Sequence, residues 1–254
     1  MATRRTLSAA VLATLALAGC SARARYERSV LPEGLSGPPP AIDASRRTEI
    51  DAERVRLTRE YLELHNPEVA AALPAGDGPE AIRFVPRLIV VHWTAIPTLA
   101  GTLDAFRGRE IGAYRAEILR NGRLNVGIQF VVDRDGTIYA LYPENAIARH
   151  VIGLNHVAIG IENVGAAGLG GPLDRAPLTE AQLESNVALV RWLAGRYPTI
   201  DYLIGHQEYR DLEDPRHPAR ELFHEEIADY RTEKNDPGRR FLRRLRRELA
   251  DAAR

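Results

Sequence analysis

Three residues far apart in the chain share one chemistry: His92, His206 and Asp236. His92 stands inside the apolar run RLIVVHWT at 87–94, and His206 closes a second one, YLIGH at 202–206. Two histidines leaving buried strands, joined by an aspartate on a later loop, would form a His2Asp set with a fourth position open. That ligand count suits a catalytic zinc rather than a closed structural one. The alternative for His92 is a core imidazole paired with backbone, since buried polar groups need partners. His217 and His224 offer a rival set with His206, but neither lies on an apolar framework.

Glu162 is the second signal, a carboxylate within the apolar run AIGIENV at 158–164. Burying it is costly unless it is paired or working, so it is either a salt bridge with one of the many arginines or a functional acid. Alternation puts Ile159, Ile161 and Asn163 on one strand face and Gly160 and Glu162 on the other. A glycine two residues before the acid leaves room for another group to approach. The third signal is compositional: of 34 cationic side chains, 33 are arginine and only Lys234 is lysine. Biased coding could leave one lysine by chance, yet a compact ammonium differs from a planar guanidinium wherever charge is aimed at one atom. Pro237 favours an extended Asp236, and in extended chain Lys234 and Asp236 point the same way. An ammonium beside a metal's open position would stabilise a developing oxyanion.

The elements that must position these residues follow from periodicity. Strands are expected at 87–94, 158–164 and 202–206, with a hairpin of 125–132 and 137–142 around the Asp-Gly turn at 135–136. Helices are expected at 48–64, 99–109, 178–197, 219–230 and 239–252, the fourth of these inside an insertion. Thr179 and Gln182 form a capping box. Strands with helices and loops between them argue a mixed α/β domain built on one sheet. The arginine-rich helix at 239–252 reads as a solvated face with i,i+4 partners, or as a surface for anionic lipid or peptide carboxylates.

The amino terminus carries Arg4-Arg5, an apolar stretch at 7–18 and then Leu17-Ala18-Gly19-Cys20, the layout of an export signal. About a dozen apolar residues fall short of the roughly 20 that a spanning helix needs. Cleavage before Cys20, the sole cysteine, would leave 32 cationic against 34 acidic side chains. That balance gives no electrostatic case for nucleic acid, and one cysteine builds no internal disulfide. The expected organisation is a signal peptide at 1–19, a flexible Pro/Gly/Ser/Arg-rich tether at 20–45 and a helical segment at 46–83. A main domain follows at 84–238 with an insertion at 207–232, and a basic helix at 239–254 completes a monomer.

The tetrad Leu-Ala-Gly-Cys resembles a bacterial lipobox, which implies a lipid on Cys20, membrane attachment through it and, with Ser21 next, an outer-membrane lipoprotein facing the periplasm. Val91-His92-Trp93-Thr94, Val132-Asp133-Arg134-Asp135-Gly136-Thr137-Ile138, Arg149-His150, Asn155 with Ile159-Gly160-Ile161-Glu162, Gly205-His206 and Lys234-x-Asp236-Pro237-Gly238 resemble, in order, the zinc-dependent N-acetylmuramoyl-L-alanine amidases of the type 2 superfamily. The resemblance covers 84–238. It implies a mixed, mostly parallel central sheet flanked by helices, with a zinc cleft above it.

It further implies His92, His206 and Asp236 as ligands of Zn2+, Glu162 as general base and Lys234 as the group that holds the tetrahedral oxyanion. His150, Asn155 and Trp93 are expected to contact substrate. The implied reaction is hydrolysis of the amide between N-acetylmuramic acid and L-alanine in peptidoglycan or muropeptides. A non-catalytic peptidoglycan-binding lipoprotein and a zinc peptidase acting on the stem peptide are the alternatives. Two departures stand out. Gln129 occupies a place where the family often has histidine, and Ile128 brings no tyrosine phenol to the site. His206 and Asp236 are also separated by an unusually long loop, expected as a lid or wall over the cleft.

Overall fold

The structure, a computed structural model, describes residues 26–165 and 178–254; the export segment and Cys20 lie outside the described residues. One sheet has the order β1-β4-β3-β5-β2-β6, from β1 (Ile42–Asp43), β2 (Leu88–Trp93), β3 (Phe130–Val132), β4 (Ile138–Ala140), β5 (Ala158–Asn163) and β6 (Tyr202–Gly205). Only the β3–β4 hairpin is antiparallel; the other pairings are parallel. The mixed, mostly parallel sheet that the family resemblance implies is therefore present. Around it lie α1 (Ala52–His65), α2 (Pro67–Ala72), α3 (Leu99–Arg107), α4 (Ala116–Leu119), α5 (Glu180–Arg196) and α6 (Arg239–Ala252).

The central strands β2 and β5 are covered on both faces, which is why they read as near-continuous apolar runs. Ile89, Val91, Ile159, Ile161 and Leu203 pack against Leu189, Val190 and Leu193 of α5 and Leu245 and Leu249 of α6. The opposite face carries Leu88, Val90, Ala158 and Ile204, which pack under Val151, Leu154, Tyr209 and Phe223. The capping box forms as expected, with Thr179 and Gln182 bonded reciprocally. At the hairpin, Gly136 takes φ 91°, a conformation that favours glycine.

Four expectations need correcting. Residues 26–43 are packed rather than a tether. Leu31 N–H donates to the Asp201 carbonyl and Leu203 N–H to that of Ser29, Tyr26 and Leu35 are buried, and Ile42–Asp43 pairs with β4. This segment covers the outer edge of β6 and extends the far edge of the sheet, protecting both from foreign pairing. No helix forms at 219–230 beyond a short 3-10 turn, Arg220–Leu222. The N–H groups of His224 and Glu226 instead donate to the carbonyls of Gly153 and His65, so tertiary bonds replace helical ones. The strand expected over 125–132 is confined to Phe130–Val132, because Gln129 reaches β5 with its side chain rather than its backbone. Finally, two arginines of α6 find partners on other elements rather than at i,i+4, Arg244 on Glu180 and Arg246 on Glu208 and the Leu203 carbonyl, while Arg239, Arg240, Arg243 and Arg247 are exposed as a solvated face requires.

A chain beginning at residue 46 should consequently lose stability. Losing the burial of Tyr26 and Leu35 alone removes about 3–6 kcal/mol, at roughly 1.5–3 kcal/mol per large apolar side chain. Urea unfolding of the two chains checks this, and equal midpoints would restore the tether.

Candidate active site

One register assembles the site. His92 of β2 is the partner of Glu162 of β5, while Val91 is the partner of Gly205 of β6. Partners across a sheet share a face, and side chains alternate along each strand. His92, Glu162 and His206, the residue after β6, therefore meet on one face at the carboxyl ends of three neighbouring strands. Asp236 arrives from the end of the long loop, held where the Gln207 N–H donates to its carbonyl at 2.9 Å.

His92 Nδ1 lies 2.9 Å from His206 Nδ1 and 3.3 Å from Asp236 Oδ2, and His206 Nδ1 is 3.1 Å from the same oxygen. All three residues are buried. His206 Nε2 is also buried and finds no partner among the described residues. Two imidazole nitrogens and a carboxylate oxygen converging out of water form a donor set for a divalent metal, and among the described residues this is the group able to hold one. Burial, then neighbouring His206, pushes His92 down to about 4. Burial alone would raise Asp236, but His206 and His92 overcome it and hold the carboxyl well below the usual range.

Glu162 lies beside this cluster, and no partner reaches its buried Oε2 among the described residues. The salt-bridge alternative is therefore not what the strand builds. Burial, reinforced by the like charge of Asp236, raises its carboxyl well above the usual range, with Lys234 and Arg115 opposing. Lys234 is exposed on the rim of the same cleft as Asp236, as their spacing predicts. The cleft has a volume of about 580 Å³ and is bordered by Trp93, Arg115 and Arg231 as well as the residues above. Trp93 is 7% exposed at this border.

Two expected substrate contacts, His150 and Asn155, line the cleft and are also bonded within the protein. Asn155 is buried. Its Oδ1 accepts from the N–H groups of His150 and Val151 at 2.9 and 2.8 Å, and its Nδ2 donates to Tyr61 Oη at 3.0 Å. It ties the His150 loop to α1 at the border of the cleft. His150 uses both ring nitrogens within the protein, one 3.1 Å from His92 Nε2 and the other 3.2 Å from the Ala158 carbonyl. Burial, then His92, lowers its pKa well below the usual histidine value. The rival metal set is not assembled: His217 Nδ1 accepts the Ala219 N–H, and His224 pairs with Glu226.

Asp229, Tyr230, Arg231 and Thr232 of the insertion border the cleft as a wall, and the role of the residues that secure it gave no signal in the sequence. His65 at the end of α1 contacts Glu225 at 2.8 Å through Nδ1 and the Asn121 carbonyl at 2.9 Å through Nε2. Buried Arg149 donates to the carbonyls of Gly122, Leu124, Ile118 and Asn121 and to Tyr230 Oη. Its guanidinium also lies over the Tyr61 ring, 4.7 Å from the centroid. The resemblance marked Arg149 only as the neighbour of His150, and one arginine among 33 carries no sign of such a clamp.

A family model described as N-acetylmuramoyl-L-alanine amidase matches residues 83–239. The endolysin of Escherichia phage T7 is 38% identical over 89 residues, which make up 35% of this chain and 56% of the endolysin. The endolysin of Enterobacteria phage T3 matches with the same figures. The chain thus spans about half the length of the curated relatives it matches. Among solved structures, the endolysine N-acetylmuramoyl-L-alanine amidase LysCS from Clostridium intestinale is 23% identical with a TM-score of 0.40, over 74% of this chain and 95% of that one.

The wall's clamp can be tested apart from the metal cluster. Glu225→Ala leaves the buried His65 nitrogen without its carboxylate, a loss of about 1–3 kcal/mol, and should leave metal affinity unchanged. Denaturant unfolding and metal titration check the two halves; an unaltered unfolding midpoint would remove the clamp.

Proposed function

The chain belongs to the N-acetylmuramoyl-L-alanine amidase family across residues 83–239, and from that premise we propose that it is a zinc-dependent hydrolase of the amide between N-acetylmuramic acid and L-alanine in peptidoglycan. The observation that carries this reading is the meeting of His92, His206 and Asp236 with Glu162 and Lys234 in one cleft. All five lie inside the matched residues.

Two imidazoles and one carboxylate fit zinc with a position left open. When bound, zinc supplies Lewis acidity and lowers the pKa of water from about 15.7 to about 7. Glu162 takes a proton as water attacks the amide carbonyl and returns it to the leaving nitrogen. The burial that raises its carboxyl also favours the protonated form that must wait for the amine. Lys234 directs an ammonium at the oxygen on which charge develops, where a broad guanidinium would occupy space the substrate needs. An open cleft of about 580 Å³ suits a piece of glycopeptide, from intact wall or from released muropeptides.

The proposal includes attachment to the outer membrane, facing the periplasm, through lipid on Cys20. No helix of the described residues is long and apolar enough to cross a membrane. Six steps of chain from Cys20 to Tyr26 reach about 20 Å at roughly 3.3–3.6 Å per residue. The packed segment runs antiparallel along β6, with Val30 opposite Tyr202, and Tyr26 Oη donates to Asp214 at 2.7 Å.

Three experiments test the reading. Glu162→Ala and Lys234→Arg should each keep zinc and fold while losing about 10²–10³-fold in muropeptide release. Mass spectrometry of digested sacculi should show stem peptides beginning with L-alanine; intact glycopeptides would indicate a binding module, and cuts within the stem a peptidase. Cys20→Ser should move the protein from the membrane fraction to the soluble one with its specific activity unchanged, and continued membrane retention would refute the anchor.

A further inference from the structure

We propose that His150 is a positioning residue that fixes which nitrogen of His92 is bare toward the metal cluster; the inference deepens the zinc reading above and rests on it. The argument begins with the backbone of β5. Along a strand, the N–H and C=O of alternate residues point to the same side, so Ala158 and Gly160 turn theirs toward β3. The β3 pairing starts only at Ile161, opposite Phe130. The Ala158 carbonyl and the Gly160 N–H are thus left beyond its end, and buried backbone groups must find partners.

Two side chains supply them. Gln129 Oε1 accepts the Gly160 N–H at 2.7 Å, and His150 Nε2 lies 3.2 Å from the Ala158 carbonyl. A carbonyl oxygen can only accept, so His150 Nε2 carries the hydrogen. In a neutral imidazole the other nitrogen is then an acceptor. His150 Nδ1 faces His92 Nε2 at 3.1 Å, so His92 donates from Nε2 and its Nδ1 has no hydrogen. That bare Nδ1 is the atom 2.9 Å from His206 Nδ1 and 3.3 Å from Asp236 Oδ2. A polarity set at one strand carbonyl passes through two rings and ends as a lone pair at the cluster.

Gly160 makes the arrangement possible. A Cβ at that position would stand 2.9 Å from His150 Nδ1 and 2.1 Å from Ile128 Cδ1, closer than the ring and the isoleucine can tolerate. The Asn155 amide supports the same ring from behind by holding the backbone N–H groups of His150 and Val151. With both its nitrogens engaged, His150 acts through His92 rather than on substrate.

The test reads tautomer and metal affinity rather than turnover. Long-range ¹H–¹⁵N correlation on the metal-free wild-type chain should find His92 protonated at Nε2. Zinc affinity measured by competition with a chelating dye should fall about 10–100-fold in His150→Phe, the range expected for removal of a ligand's outer hydrogen-bond partner, with circular dichroism confirming the fold. His92 protonated at Nδ1 in the wild type, or wild-type zinc affinity in folded His150→Phe, would overturn the proposal. If His150→Phe does not fold, the wild-type tautomer decides alone. A wild-type chain that binds no zinc would instead defeat the zinc reading, and the His92 tautomer would still be measured.

Discussion

The parallel register that sets His92 beside Glu162 and Val91 beside Gly205 is the constraint on which the site depends. Slipping either strand by one residue would turn every side chain to the opposite face, sending His92 into the helix-covered core and Ile89 and Val91 toward the cleft. Register is strongly specified where burial differs between residue types, and here both faces contribute. Ile89, Val91, Ile159 and Ile161 belong under α5 and α6, while Leu88, Val90 and Ala158 belong under the loops of the other face. The apolar packing that stabilises the sheet therefore also fixes the positions of the reactive groups. This explains why three residues from strands distant in sequence can meet without any local motif.

Burying so many ionisable groups together carries an electrostatic cost that the geometry meets in different ways. Glu162 and Asp236 repel one another, and burial discourages both from ionising. Asp236 escapes that pressure through two histidines at hydrogen-bonding distance, whereas among the described residues no partner reaches Glu162 Oε2. The two carboxyls are thereby driven apart in acidity: one is a persistent anion that can hold a cation, the other a group able to keep or release a proton. Environments that separate the acidities of neighbouring carboxyls are a usual way of dividing roles between them.

What could be read in the sequence was whatever left a periodic or compositional trace. His92, His206 and Glu162 interrupt apolar strands, so burial made them conspicuous, and Lys234 was conspicuous by rarity. The helices of α5 and α6 followed from their apolar spacing and the Thr179–Gln182 box. The work of His150 and Asn155 was not legible, because it depends on where β3 ends and on a backbone carbonyl that no pattern of side chains reveals. Residues 219–230 carried helical spacing in Leu222, Phe223, Ile227 and Tyr230, yet tertiary acceptors at Gly153 and His65 took their N–H groups. Residues 26–43 were polar and proline-rich enough to look like a linker. A few contacts, Tyr26 and Leu35 into the core and Leu31 onto Asp201, bind them to the sheet.

The dominance of arginine has a structural side that sharpens the meaning of the lone lysine. Arg54 is 1% exposed and Arg149 3%, and among the described residues no carboxylate is a hydrogen-bond acceptor of either. Arg54 donates to the carbonyls of Glu49, Arg107 and Gly108 and to Tyr142 Oη, and Arg149 gathers four loop carbonyls and Tyr230 Oη. A planar fork with five donors can close such loops at fixed angles; an ammonium with three donors cannot. Lys234 is in the opposite situation, exposed at the rim of a cleft, with its charge felt by Glu162 and His92. A position that gathers no carbonyls gains nothing from a fork, and a site that must admit another molecule gains from a narrow head. The arrangement is therefore consistent with arginine wherever cations fasten the fold and lysine where one must leave room for a reacting group.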